Sequence, residues 1–531
     1  MKGHRLLKKQ TDSLKILFTS DIHGTALPKL YGTNEKANIG LVKYTTIVKQ
    51  YREKYKNVLV LDNGDLIQGT PLMTHYMKKH RDKPNPMIDL MNHIELDAAV
   101  FGNHEFNYGL QTLEAAVHQS NFPWLSANIL DEKSKKPYFG KPYIIKQLSS
   151  GLKVAIVGVT THYIPNWESP QHIEGLHFAD SFDTLKKWVE YIRETKQPDL
   201  LIALYHGGFE RDLETGEPTE TLTGENQGYK ICQEIEGIDI LLTGHQHRKL
   251  VEKVHDVLVL QPGKDLTVYG EVDVHFQKLD NEWKIEEKRA HLRDLSKRKS
   301  DEHAVKLVED LEASTQKWLD EPLGTIEGNM EITDPFQVRL EKHPFIQFVQ
   351  QVQMDATGAD ISTTALFNND MKGFTKHVTM REVVSNYMYP NTLVVLELTK
   401  DDIIAALEKS AEYFSLNEHG EIIVNPSFVS PKVRHYDYDM WEGIEYSINV
   451  SKPVGNRVER VTYQGKPLQA SETYHVVLSN YRANGAGGFD MYKNKPIVQE
   501  VQVEMTELIR AYFENNPVVR AKYTKNFTIT S

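Results

Sequence analysis

A single cysteine, Cys232, in 531 residues rules out any disulfide within the chain and removes thiolates as the basis of a metal site. No apolar run is long enough to cross a bilayer, so no membrane partner is expected. There is no internal repeat and no low-complexity tract. There is also no long basic run: Lys plus Arg number 62 against 73 Asp plus Glu, a formal net charge of −11. That balance argues against a polymeric nucleic acid as partner, though not against one nucleotide held through metal ions. The N-terminus lacks the continuous apolar stretch of a signal peptide, being interrupted by Lys8, Lys9, Gln10, Thr11 and Asp12. A cytoplasmic enzyme is the expectation, with secretion after signal removal as the alternative. Nothing in the sequence sets an oligomeric state.

What is present is an ordinary globular composition, 40% hydrophobic and 25% charged, in a chain too long for one core. Five apolar runs of strand length each end in Asp, Asn or His beside a glycine. Leu14–Ser20 runs into Asp21-Ile22-His23-Gly24, and Val58–Leu61 into Asp62-Asn63-Gly64-Asp65. Ala98–Phe101 runs into Gly102-Asn103-His104, Leu200–Tyr205 into His206-Gly207-Gly208, and Ile238–Leu242 into Thr243-Gly244-His245-Gln246-His247. The pattern predicts an α/β domain in which a sheet gathers ligands along one edge while helices, such as one over about residues 40–55, cover its faces.

Residues 300–321 are charged with apolar positions at helical spacing, Val305, Val308, Leu311, Trp318 and Leu319, and read as a helix joining two domains. The expected organisation is a catalytic domain over 1–299, a linker helix over 300–322 and a mixed α/β domain over 323–531. Two aromatic clusters mark that last part: His435–Trp441, and Asn480–Phe489 with its glycines and Arg482. Glycines allow close approach, and a ring plus a guanidinium suits a planar base.

Asp21, His23, Asp65, Asn103, His206, His245 and His247 offer oxygen and imidazole donors of the kind that suit Mn, Zn, Fe or Co rather than calcium. Seven groups are too many for one tetrahedral site and about right for two divalent ions sharing a carboxylate, the clamp used in phosphoester hydrolysis. His104 follows Asn103 directly and is placed to stabilise phosphoryl charge or protonate a leaving oxygen.

Taken together, D-x-H, G-D, G-N-H-E, H and G-H-x-H resemble the signature of the calcineurin-like metallophosphoesterases, here Asp21/His23, Asp65, Asn103/His104/Glu105, His206 and His245/His247. The resemblance implies a four-layer αββα domain. It also implies one metal held by Asp21, His23, Asp65 and His247 and another by Asp65, Asn103, His206 and His245, with Asp65 bridging. The C-terminal half extends the likeness to the two-domain 5′-nucleotidases, whose second domain binds the nucleoside. In those relatives the motif reads GNHEFD, and the Asp orients and charges the histidine. Here Asn107 stands there, able to orient His104 but not to charge it as a carboxylate would.

GNHEFNYG, Asp360-Ile361-Ser362, Met388–Leu393 and Asn480-Tyr481-Arg482-Ala483 resemble the 2′,3′-cyclic-nucleotide 2′-phosphodiesterase/3′-nucleotidase branch. Leu366–Gly373 lacks the arginines that a 5′-nucleotidase places there for the substrate phosphate. The implied reaction is attack of a metal-activated hydroxide on a 2′,3′-cyclic nucleotide, then hydrolysis of the 3′-nucleotide to nucleoside and phosphate. By the same likeness Tyr481 and either Tyr436 or Tyr438 would sandwich the base of this small-molecule substrate. A 5′-nucleotidase or UDP-sugar hydrolase on the same metals is the alternative, and an inactive binding scaffold a minor one.

Overall fold

Leu14, Ile16 and Phe18 alternate along the first strand and are fully buried, as a strand covered on that face requires. The computed structural model describes residues 10–220, 222–501 and 503–531, so residues 1–9, on which part of the signal-peptide reading rests, lie outside it. The chain divides into two compact units, Met1–Ala313 and Ser314–Ser531. The division falls inside the helix Glu302–Leu319. No described helix is long and apolar enough to cross a membrane.

In the first unit the strands run β1 (Thr11–Thr19), β2 (Val58–Asp62), β3 (Ala98–Val100), β4 (Trp124–Leu125), β5 (Ile129–Asp131), β6 (Tyr143–Gln147), β7 (Lys153–Thr160), β8 (Leu176–Phe178), β9 (Leu200–His206), β10 (Ile240–Thr243), β11 (Lys249–Val254), β12 (Val257–Pro262), β13 (Val268–Leu279) and β14 (Glu282–Asp294). They form two six-stranded sheets, β14-β13-β1-β2-β3-β4 and β11-β12-β10-β9-β7-β6, with β5 and β8 as a separate ribbon. Here the structure corrects the expectation of one ligand-bearing edge. Three of the five runs lie in one sheet and two in the other, so the site is built where two sheet ends adjoin.

One core joins the facing sheets: Leu14, Ile16, Phe18, Leu59, Leu61 and Val100 meet Val154, Ile156, Ile202, Leu204, Leu242 and Leu260. A second core lies on the outer face of the second sheet, where Ala155, Val157, Leu201 and Leu241 pack with Leu185, Val189 and Ile192 of the helix Ser181–Lys196. The other sheet is served by the helix Leu41–Lys54, which buries Leu41, Val42, Tyr44, Ile47 and Val48. Helix, sheet, sheet, helix is the four-layer arrangement.

The second unit centres on a five-stranded sheet in which Ile361–Ala365 lies between Asp439–Glu442 and Thr473–Ser479, followed by Leu393–Thr399 and Ile497–Val501. The helix Pro344–Thr357 buries Phe345, Phe348, Val349 and Val352, and its start is capped by the His343 side chain, which accepts from Phe345 N.

Candidate metal centre

The ends of β1, β2, β3, β9 and β10 carry the candidate ligands, and the loops beyond them stay paired. Asp21 N donates to Gly64 O at 2.9 Å and His23 N to Asp65 O at 2.8 Å. Asn63 ties the two sheets: its Nδ2 donates to Tyr205 O at 2.9 Å, and its carbonyl oxygen accepts from His206 Nδ1 at 2.6 Å. The glycines of the motifs have a steric cause. A Cβ on Gly102 would lie 2.2 Å from Asp65 Oδ1, and one on Gly244 2.7 Å from Asp21 Oδ2. Asp21, His23, Asp65, His245 and His247 all have positive φ, between 49° and 65°, a costly conformation for residues with a Cβ.

Two ligand groupings result, Asp21–His23–His247 and Asp21–Asp65–His206, the donor atoms in each lying within 4.8 Å of one another. Asp21 belongs to both. His23 Nε2 and His247 Nε2 are 3.1 Å apart, and His247 Nε2 is 3.4 Å from Asp21 Oδ1. Asp65 Oδ2 lies 3.4 Å from His206 Nε2 and 3.9 Å from His23 Nε2. Asn103 Oδ1 faces His206 Nε2 at 3.1 Å and His245 Nδ1 at 2.9 Å.

The donor chemistry fits cations. His206 commits Nδ1–H to a backbone carbonyl, which turns the Nε2 lone pair toward two oxygens that can only accept. His245 directs Nε2 at Glu225 Oε1, 2.8 Å away, which likewise turns Nδ1 toward the Asn103 oxygen. Acceptors facing acceptors at these distances are satisfied by a metal ion. Five donors in two overlapping groups, with Asn103 and His245 beside His206, accommodate divalent ions of the oxygen- and nitrogen-binding kind.

The electrostatics agree. Burial pushes the Asp21 carboxyl up, against the pull of His206. Asp65 is held well below the usual range: burial opposes this, but His206 and His104 outweigh it. Burial lowers His23 to about 4, with Asp65 opposing. His206 moves the other way, to about 10, because Asp65 and Asp21 outweigh its burial. Two buried carboxylates thus demand positive charge, and without metal a proton on His206 supplies part of it.

His104 donates its backbone N–H to Asp65 Oδ1 at 2.8 Å, and its ring lies 5.3 Å from that of His23. Asn107 Oδ1 is 2.7 Å from His104 Nδ1. Several supporting groups escaped the reading of the sequence. Glu105 accepts from the backbone N–H of Gly102, Asp65 and Leu66 at 2.6, 2.8 and 2.7 Å, so one carboxylate fixes two ligand-bearing loops. Trp167 stacks on His245 at 5.2 Å, and Glu168 accepts from Asn107 Nδ2 at 2.8 Å. Only Glu105, inside the GNHE motif, carried a sequence signal.

In the second unit Tyr436 and Tyr481 are half-buried. Tyr438 is fully buried, stacked on Tyr413 at 5.3 Å with its hydroxyl donating to Arg339 O at 3.0 Å, so it has no face to offer a base. Arg482 also departs from expectation. It is 4% exposed and ties the two aromatic segments together: Nε lies 2.9 Å from Asp439 Oδ2, and the guanidinium donates to Tyr436 O at 2.5 Å and Ala486 O at 2.6 Å. Burial raises Asp437 to about 6 despite that guanidinium. Arg482→Leu strands Asp439 without its cation and leaves Asp437 paired with Arg434, and urea denaturation should show a loss of about 3–5 kcal/mol. A loss within 1 kcal/mol would mean that the ion pairs contribute little.

Residues 14–249 match the calcineurin-like phosphoesterase family, and residues 322–494 match the 5′-nucleotidase C-terminal domain. The crystal structure of a Staphylococcus aureus protein named as a 5′-nucleotidase is 34% identical, covering 98% of this chain and 100% of its own, with a TM-score of 0.90. The 2′,3′-cyclic-nucleotide 2′-phosphodiesterase/3′-nucleotidase of Yersinia enterocolitica is 27% identical over 89% of this chain and 81% of its own length. The trifunctional nucleotide phosphoesterase protein YfkN of Bacillus subtilis is 26% identical over 97% of this chain, which spans 39% of that longer protein. With both domain families matched in order and a relative of this identity aligned from end to end, the chain belongs to the calcineurin-like phosphoesterases that carry a 5′-nucleotidase C-terminal domain.

Proposed function

We propose that this protein hydrolyses nucleotide phosphoesters with divalent metal ions, opening 2′,3′-cyclic nucleotides to 3′-nucleotides and then releasing nucleoside and phosphate. The observation that carries this reading is the convergence of Asp21, His23, Asp65, Asn103, His206, His245 and His247 from two sheets, with His104 against Asp65. The Yersinia relative is named for the cyclic-nucleotide and 3′-nucleotide chemistry, and the Bacillus relative as a nucleotide phosphoesterase. The absence of arginine from Leu366–Gly373 supports it over a 5′-nucleotidase. The guanidinium that reaches this loop, Arg339, is 1% exposed and donates to Asn369 Oδ1 and Leu366 O.

Divalent ions, when bound, acidify water and neutralise phosphoryl charge. Asp21, His23, Asp65 and His247 would hold one ion and Asp65, Asn103, His206 and His245 the other, of Mn, Zn, Fe or Co. The remaining work belongs to side chains of this protein. His104 stabilises the charge on phosphorus-bound oxygen and gives a proton to the departing ribose oxygen. Glu105 holds the loops of Asp65 and Asn103 in register. Tyr436 and Tyr481 stack the base, with modest base selectivity as the consequence. The Staphylococcus relative's name keeps one competing reading in play, 5′-nucleotide hydrolysis on the same centre.

Steady-state kinetics on Mn²⁺-loaded protein separate the two. 2′,3′-Cyclic AMP and 3′-AMP should exceed 5′-AMP in kcat/KM by about tenfold or more, equivalent to about 1.4 kcal/mol of transition-state binding. Preference for 5′-AMP by that factor would replace this reading with the competing one.

A further inference from the structure

The segment between β7 and β8 places two adjacent side chains against the centre from outside the ligand set. Trp167 stacks on His245, and Glu168, 7% exposed, reaches the amide beneath His104. We propose that Glu168 is a positioning residue for the reaction: through Asn107 it fixes the tautomer and orientation of His104, so that a glutamate–asparagine pair does what a single carboxylate beneath the histidine would do. This inference rests on the phosphoesterase reading above.

The argument is one of donors and acceptors. Glu168 Oε1 accepts from Ser169 N at 2.8 Å and faces His172 Nδ1 at 2.8 Å, while Oε2 accepts from Asn107 Nδ2 at 2.8 Å. Carboxylate oxygens only accept, so the Asn107 amide must present NH₂ to Glu168 and its carbonyl oxygen to His104. His104 Nδ1 then carries the proton shared with that oxygen at 2.7 Å, and Nε2 is the nitrogen that exchanges a proton with substrate. In the step itself a water oxygen bonds to phosphorus and the bond from phosphorus to the ribose oxygen breaks. His104 enters this step with a proton on each nitrogen, Nδ1–H on the Asn107 oxygen and Nε2–H toward the substrate. The ribose oxygen keeps the electron pair and takes the Nε2 proton, the ring is left as the neutral Nδ1–H tautomer, and the proton lost by the water returns to Nε2 through solvent. If the amide were turned over, its NH₂ would face His104 Nδ1, which could then carry no proton, and the ring could not hold the second proton that the leaving oxygen takes.

Glu168→Gln should turn the amide over. The backbone N–H of Ser169 cannot reverse, so the new side chain must keep its oxygen there and direct its NH₂ at Asn107. Asn107 answers with its own oxygen, and its NH₂ moves to His104. The consequence depends on the leaving group. A ribose alkoxide needs a proton, whereas p-nitrophenolate leaves without one.

The test compares E168Q, N107D/E168Q and the unaltered Mn²⁺-loaded protein on 2′,3′-cyclic AMP and on bis(p-nitrophenyl) phosphate. For E168Q, kcat on cyclic AMP is expected to fall on the order of 10- to 100-fold with KM little changed, and kcat on the nitrophenyl ester less than about threefold. In N107D/E168Q a carboxylate accepts from His104 directly and from the glutamine NH₂, and most of the lost kcat should return. Independently of turnover, ¹⁵N spectra of histidine-labelled, metal-free protein should show His104 protonated at Nδ1 in the unaltered chain and at Nε2 in E168Q, the signal being assigned by its loss in H104Q. Equal losses on both substrates, no rescue in the double variant, or an unchanged His104 tautomer would each overturn the proposal. Failure of the unaltered protein to hydrolyse either ester would instead overturn the phosphoesterase reading itself.

Discussion

Asp65→Asn is expected to lower kcat/KM on 2′,3′-cyclic AMP by on the order of 10³-fold or more, about 4 kcal/mol of transition-state stabilisation, while leaving the fold intact. The expectation follows from how many roles one side chain fills. Its Oδ2 is shared between His206 and His23, its Oδ1 accepts the His104 backbone N–H, and its own N–H is held by Glu105. Asparagine keeps the volume and can keep the bond to His104, so the local backbone survives. What it loses is charge and a lone pair. An NH₂ directed at His206 Nε2 repels a cation where the carboxylate attracted one, and Asp21 is left as the sole carboxylate of both ligand groupings. Added Mn²⁺ should therefore raise the Tm of the unaltered protein far more than that of the variant. A variant that kept its Tm response and lost less than tenfold in kcat/KM would remove Asp65 from the proposed metal ligands.

The strand ends were legible in the sequence because an apolar run has to stop somewhere, and glycine followed by Asp, Asn or His stops it in a recognisable way. How the five runs divide between two sheets was not legible. β9 and β10 are apolar along most of their length and β1 over Leu14–Phe18 except Lys15, whichever sheet they join, and membership is decided by hydrogen bonds between strands far apart in sequence. The positive φ of Asp21, His23, Asp65, His245 and His247 was equally hidden, since only glycine advertises that conformation. Glu225 and Glu168 sit in polar loops where a glutamate reads as a solvated charge. Their importance appears only when folding brings them to His245 and Asn107, 20 and 61 positions away. Tyr436 and Tyr438 are alike in composition and neighbours. A short helical turn over His435–Asp437 leads into the strand Asp439–Glu442, which sends Tyr438 into the core and leaves Tyr436 half-exposed.

Stripping the metal with a chelator should abolish turnover, by on the order of 10³-fold or more, and re-addition of Mn²⁺ should restore it. The pH dependence of that re-addition tests the electrostatics more sharply. His206 stands near 10 without metal, against an ordinary value of about 6.5. A raised folded value means that its protonated form stabilises the metal-free protein fully below about pH 6.5, and that this contribution is lost as pH rises through 10. A cation bound between Asp65, Asn103 and His206 must displace that proton, so apparent affinity should rise by up to about tenfold per pH unit within this window. His23, lowered to about 4, adds no such dependence above pH 5. Between pH 6.5 and 8.5 the gain is about 100-fold in affinity, worth about 2.7 kcal/mol of added stability at fixed excess metal. Thermal melts with and without Mn²⁺ at the two values read it directly. If the Tm gain is the same at both, the proton on His206 is not what the metal replaces. If it shrinks with pH, the sign of the coupling is wrong, and the two buried carboxylates must be neutralised by some other group in the metal-free protein.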